Sequence, residues 1–233
     1  MDTIPAHLQY SLTLNFNHMK KTFLGILLTV IPMISYAQRM TYFGKTRVLC
    51  MAEADTYMQG AVPVEDGKVV FRDTIAVPGK SPQDIDRVLS QWASFRFSQG
   101  VGRGYWSDRD YFRNGDFASV KSVEDNRIEC QGNEDMVFMN QALSKDYCVV
   151  NYIFSLEYAD GKVYTTMRNI NYIYAGSNNE QIRAEEWITD EGCIRKLKAG
   201  GYGFYKQTGK FRVKTIDLKN ELVRELKEKF DLL

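Results

Sequence analysis

The sequence predicts an α+β fold, an antiparallel sheet with helices packed on one of its faces, and three observations predict it. From Tyr147 to Tyr158 the residues Cys148, Val150, Tyr152, Phe154, Leu156 and Tyr158 fall on one side of a strand at period two. Before that run stands one amphipathic helix with a complete start signal at Ser81-Pro82. After it, turn dipeptides join further strand-like segments, and a last helical pattern closes the chain. The order strand, helix, four strands, helix is that of a sheet with its helices on a single face.

The N-terminal segment is set aside first, because targeting sequences are not part of a fold. Lys20 and Lys21 form a basic start, Phe23 to Ile34 an apolar stretch, and Ser35-Tyr36-Ala37 a small-residue cleavage site. The apolar stretch is well short of the roughly 20 residues that a membrane-spanning helix needs. Residues 19–37 therefore read as a signal peptide, cut between Ala37 and Gln38, with 1–18 an upstream extension and Met19 the true start. The residue just after the cut is Gln38 and not a cysteine, so a lipid anchor is not expected. The product is expected to be periplasmic or secreted, with no membrane span in the mature chain.

Past residue 37, acidic and basic residues are equal in number. A nucleic-acid binder needs a concentrated basic footprint, so that class is excluded. Both histidines, His7 and His18, lie in the removed part. Ser–His–Asp and Cys–His catalysis are excluded with them, as is any imidazole zinc site. No metal or other cofactor is expected.

Residues 38–60 have no regular pattern and read as a lead segment of weak local order; 61–233 form the domain. Asp66-Gly67 is a hairpin-type turn, and Val69, Phe71 and Ile75 belong to a strand that stops at Pro78-Gly79. In the helix that follows, Ser81 caps, Pro82 takes the first position and Asp84 completes a capping box. Ile85, Val88, Leu89 and Trp92 make its apolar face. Gly79-Lys80-Ser81 is not a P-loop, because Thr74 stands where the motif needs its first glycine. Strands are then expected over 117–123, 127–138 with an irregularity at Gly132, 147–158, and 162–174. Helices follow over 180–197 and 217–230, the second capped by Asp217 and lined by Leu222, Val223, Leu226 and Phe230. Gly200 to Gly203 form the loop between them.

The four cysteines, Cys50, Cys130, Cys148 and Cys193, allow three full pairings in an oxidising compartment. A symmetric hairpin would set Cys130 opposite Leu156, about eight positions and ~26 Å from Cys148. That is beyond bridging range. Cys50–Cys193 stays open beside the alternative of free buried thiols.

AVPVEDGKVVFRDTIAVPGKSPQDIDRVLSQW, together with YIFSLEYADGKVYTTMRNINYIY, resembles family 4468 of the domains of unknown function. The resemblance runs over roughly 61–174, and its most specific parts are the V-P-G-K-S junction and the Y-x-D-G-K hairpin. It implies an exported bacterial protein with a TBP-like fold, a curved antiparallel sheet carrying helices on one side. It brings no catalytic residues.

The stretch VGRGYWSDRDYFRNGDF is the candidate site. Tyr105, Trp106, Tyr111 and Phe112 alternate with Arg103, Arg109 and Arg113. Aromatic faces and guanidinium groups stack on sugars, peptides or rings at low entropic cost. The alternative is that these rings fold back over the core while the arginines reach outward. Gly100, Gly102 and Gly104 follow a helix instead of opening one, so they are not a dinucleotide fingerprint. Asp108, Asp110, Asn114 and Asp116 fail as a calcium loop at Phe112. Three functions follow. The first is a non-enzymatic module that binds a glycan, peptide or envelope protein. The second is a glycan hydrolase using carboxylates such as Glu185, Glu186, Asp190 and Glu191. The third is a structural subunit whose open sheet face is an oligomer interface.

Overall fold

The computed structural model describes residues 39–98, 118–124, 126–141, 144–174 and 181–232. Its centre is an antiparallel sheet of β5 (Phe71–Ala76), β6 (Ser119–Glu124), β7 (Arg127–Gln141), β8 (Ser144–Ala159), β9 (Lys162–Tyr174) and β10 (Gln181–Arg183). The order is β10-β9-β8-β7-β6, and β5 also pairs with β9. β5 lies along Lys162–Met167 and β10 along Asn171–Ile173 of β9, so the two share its edge opposite β8. With α1 (Pro82–Arg96) and α4 (Lys206–Lys229) the fold class is α+β, as the alternation indicated.

The inward residues of β8, from Cys148 through Val150, Tyr152 and Phe154 to Leu156, are all buried. On β7 the inward set is Ile128, Cys130, Gly132, Glu134 and Met136. Cys130 pairs with Phe154, not Leu156: the strands already pair one position off the symmetric register at Gln141–Ser144, and a bulge between Val137 and Met139 adds the second. All four cysteines are free and buried, and burial pushes the Cys130 thiol up to about 12 and that of Cys193 to about 11. Gly132 keeps its pairing, against the expected irregularity. It sits opposite Tyr152, and a Cβ there would lie 2.1 Å from the ring. The glycine makes room for an aromatic.

α1 begins as the sequence indicates. The Asp84 N–H donates to Ser81 Oγ at 3.1 Å, and Ser81 Oγ–H to Asp84 Oδ2 at 2.7 Å. Its Ile85, Leu89 and Trp92 are buried, and the Trp92 and Phe97 rings pack on Phe154 with centroids 5.9 and 6.3 Å away. Burying each such side chain contributes about 1.5–3 kcal/mol.

Four expectations are corrected. Residues 39–57 are ordered: β1 (Arg39–Phe43) and β2 (Thr46–Cys50) form a hairpin, and a 3-10 turn follows over Ala54–Tyr57. Phe43 stacks on Phe204 at 4.2 Å, which brings this hairpin into the core. The strand expected through Val69 and Ile75 is split at Val70, whose N–H donates to the Pro63 carbonyl; Val69 belongs to a ribbon of β3 (Val64–Glu65) and β4 (Lys68–Val69). Instead of one helix over 180–197 there are β10, two single turns α2 (Ala184–Trp187) and α3 (Asp190–Cys193), and β11 (Ile194–Lys196) paired with β12 (Tyr202–Phe204). Thr189 caps α3 through the Gly192 N–H. A Cβ on Gly192 would lie 2.3 Å from the Glu186 carbonyl, so the bend depends on glycine. Lastly, α4 starts at Lys206, and Asp217 is a buried interior residue of it instead of its cap. No helix among the described residues is long and apolar enough to cross a membrane.

An amphipathic cleft as the candidate functional site

The seven aromatic and arginine candidates, Arg103, Tyr105, Trp106, Arg109, Tyr111, Phe112 and Arg113, lie outside the described residues. So do the glycines and acids of the same stretch, and residues 1–38 with the signal peptide. The site that the described residues build is elsewhere, where three separate parts of the chain meet.

The turn end of the β1–β2 hairpin, the far ends of β7 and β8, and the first turns of α4 enclose a cleft of about 650 Å³. Met40, Val48, Phe138 and Met139 give it apolar wall, while Lys45, Arg47, Lys206 and Lys210 bring cations and Asp146 a carboxylate. Lys210 Nζ donates to Asp146 Oδ2 at 2.7 Å and to the Tyr174 hydroxyl at 2.9 Å. The same ammonium stands 4.5, 4.4 and 5.5 Å from the ring centres of Phe138, Tyr174 and Phe211. Such contacts favour a cation by electrostatic attraction to the ring face. Asp146 and Lys210 thus neutralise each other. Lys45, Arg47 and Lys206 are exposed and have no ion pair among the described residues. α4 adds to their potential: no side chain caps its first turn and no acid lies in it.

Of the four acids considered for catalysis, Glu191 is exposed and the other three are engaged otherwise. Glu185 Oε1 accepts the Val69 N–H, Glu186 pairs with Arg183, and Asp190 accepts from Arg212 and the Gly60 N–H. Among the described residues no three Cys, Asp, Glu or His gather as metal ligands.

Two buried polar clusters escaped the sequence. Arg96 Nη2 donates to Glu134 Oε2 at 2.8 Å and its Nε lies 3.5 Å from Glu225. Glu134 also accepts from the Tyr152 hydroxyl, and Glu225 from Trp92 Nε1 at 3.1 Å. Burial opposes the charge on Arg96, but the Glu134 and Glu225 carboxylates beside it more than offset that cost. In the second cluster Arg212 donates to the carbonyls of Tyr57, Ile188 and Met58, each at 2.6 Å, and to Asp190 at 2.7 Å. Next to it Tyr57 donates to Asp217 and accepts the N–H groups of Met51 and Ala52. Burial pushes the Lys214 amine down to about 7 and the Asp217 carboxyl up to about 6. These clusters hold elements together, and all their side chains but that of Asp190 are largely closed to solvent. A periodicity search sees only that α4 carries Arg212, Lys214 and Asp217 where an amphipathic helix would be apolar.

The sheet face away from the helices carries a row of polar side chains among exposed Tyr147, Tyr164 and Ile173. Asn133, Asn151 and Asn171 stand side by side on β7, β8 and β9, with Asn133 donating to Asn151 and Asn151 to Asn171. Glu129 accepts from Arg168 and Ser155 beside them.

Residues 71–173, which run from β5 into β9, match the family described as "Domain of unknown function (DUF4468) with TBP-like fold". A crystal structure of a DUF4468 family protein from Bacteroides ovatus is similar over 77% of this chain and 95% of its own, at 27% identity and a TM-score of 0.61. A TBP-like protein from Parabacteroides distasonis is similar over 73% of this chain and 97% of its own, with a TM-score of 0.53; at 17% identity it shows the fold alone. No curated protein matches the chain.

Proposed function

We propose, for a chain whose residues 71–173 match the DUF4468 family of TBP-like domains, that it is an exported binding module of the cell envelope and not a catalyst. The observation that carries this reading is the cleft between the first hairpin, the ends of β7 and β8, and the start of α4. Among the described residues it offers cations without an ion pair and an apolar wall, and Lys210 holds its Asp146 carboxylate. A hydrolase of the two-carboxylate type needs a pair of acids facing across a substrate. Glu185 and Glu186 each commit one oxygen, and Asp190 both, to backbone or arginine partners, and Glu191 stands exposed.

Export rests on the basic, apolar and small-residue order of residues 19–37. The protein recovered from the periplasm or medium is expected to begin at Gln38, and N-terminal sequencing that finds an earlier residue overturns export by this route. For binding, a ligand-screened thermal shift is the direct measurement, since a ligand of the folded state raises Tm. Hits in the cleft are expected to lose their shift in the double variant Lys45→Glu, Arg47→Glu. Hits that persist there and vanish in Tyr105→Ala, Trp106→Ala would move the site to the aromatic stretch.

A further inference from the structure

We infer that the ligand of this cleft is an amphiphile, one anionic head group of carboxylate or phosphate type on an apolar tail. The inference rests on the reading of the cleft as a binding site. Two surfaces of opposite character meet there, and a ligand satisfying only one leaves the other idle. Lys45, Arg47 and Lys206 have no ion pair among the described residues, so the cleft carries unneutralised positive charge. The uncapped start of α4 adds to that potential. A neutral or cationic ligand would leave it unanswered. Met40, Val48, Phe138 and Met139 line the same space. A compact hydrophilic anion would leave their surface wet. Methionine is unbranched and adapts to irregular apolar shapes, which suits a flexible chain better than a rigid ring. The volume of about 650 Å³ lies within the range of about 300–1,000 Å³ typical of small-molecule sites, and a folded partner does not enter such a space.

The test is a titration of the purified protein with four probes: palmitate, palmitate methyl ester, a single-chain phosphatidic acid, and inorganic phosphate alone. At least one anionic amphiphile is expected to bind saturably, with the ester weaker by about tenfold for each charge-assisted hydrogen bond it cannot make. Phosphate alone is expected to bind far more weakly than either amphiphile. Raising the salt concentration should weaken the anionic amphiphiles and not the ester. Palmitate without phosphatidic acid identifies a free fatty acid as the source of the head group, and the reverse identifies a phospholipid. The triple variant Lys45→Glu, Arg47→Glu, Lys206→Glu is expected to melt as the parent does and to bind whichever anionic amphiphile the parent takes no better than the ester. An ester as tight as palmitate in the parent, or phosphate as tight as the amphiphiles, overturns the inference and leaves the cleft as a site of another chemistry. Absence of binding by all four also overturns it. The binding reading itself falls only when the hits of the thermal screen are indifferent to the substitutions at Lys45 and Arg47.

Discussion

Two buried arginines solve opposite problems in this molecule. Arg96, on α1, faces carboxylates from β7 and α4. It sits where the apolar pattern of helix and sheet has already brought the layers together, and its charge is answered by charge. Arg212, on α4, faces three carbonyls and only one carboxylate. It sits among short elements, the 3-10 turn at Ala54–Tyr57 and the single turns α2 and α3, which have few regular hydrogen bonds of their own. The first arginine reinforces packing; the second substitutes for secondary structure.

The largest effect is expected at Arg96. Replacing Arg96 by Met leaves Glu134 and Glu225 buried without their cation and should cost about 3–5 kcal/mol in chemical denaturation. Adding Glu134→Gln and Glu225→Gln should recover part of that loss, and an unaltered single variant would remove the contrast altogether. Arg212→Met should cost about 2–3 kcal/mol, since several carbonyls lose a charged donor. Its signature is local: amide exchange should quicken at Met51–Met58 and Ile188–Cys193 before it quickens in the sheet. Gly132→Ala forces a methyl into the Tyr152 ring and should cost about 1–3 kcal/mol by overpacking. Because Tyr152 donates to Glu134, this variant disturbs the first cluster and should spare the second.

The smallest effect is a pH dependence belonging to the second region. Lys214 holds its proton only up to about pH 7 in the folded chain, whereas an unfolded lysine keeps it to about 10.4. The unfolded state therefore binds more protons above 7, and stability rises with pH there, by at most about 1.4 kcal/mol per pH unit. Asp217, raised to about 6, works in the other direction below that: the folded state binds more protons between the ordinary carboxylate range and 6, so stability falls as pH rises toward 6. Between pH 7 and about 8.5, before unfolded thiols titrate, the denaturation midpoint should climb. Lys214→Met should flatten that climb, and a slope that survives the substitution assigns it elsewhere.

The same contrast governs how much the sequence disclosed. The period-two run of β8 and the Ser81-Pro82-Asp84 start of α1 depend on local rules, and both were legible. The first half of α4 was not, because Arg212, Lys214 and Asp217 turn inward and break the periodicity by which a helix is recognised. Over 181–204, charged and apolar residues mimic a helix, but the extended Thr189 starts a new turn just after α2, and Gly192 permits the close approach to the Glu186 carbonyl that this bend requires. The hairpin at 39–50 looked patternless because its partners, Phe204 and α4, lie far along the chain. The cleft was invisible for a similar reason: Met40, Lys45, Arg47, Phe138, Met139, Asp146 and Lys206 come from three distant segments and form no motif. The aromatic and arginine stretch drew attention by composition, a signal that marks residue types and not positions in space.

Lys210 carries one more consequence. Its ammonium already occupies the kind of seat, three rings and a carboxylate, that receptors of quaternary amines keep vacant for their ligands. A choline-type head group arriving at this cleft would meet a filled seat with three more cations around it. Were the cleft to take an amphiphile, the protein's own lysine would deny a choline-type ammonium its seat on the rings and leave only the anionic part of a head group for Lys45, Arg47 and Lys206.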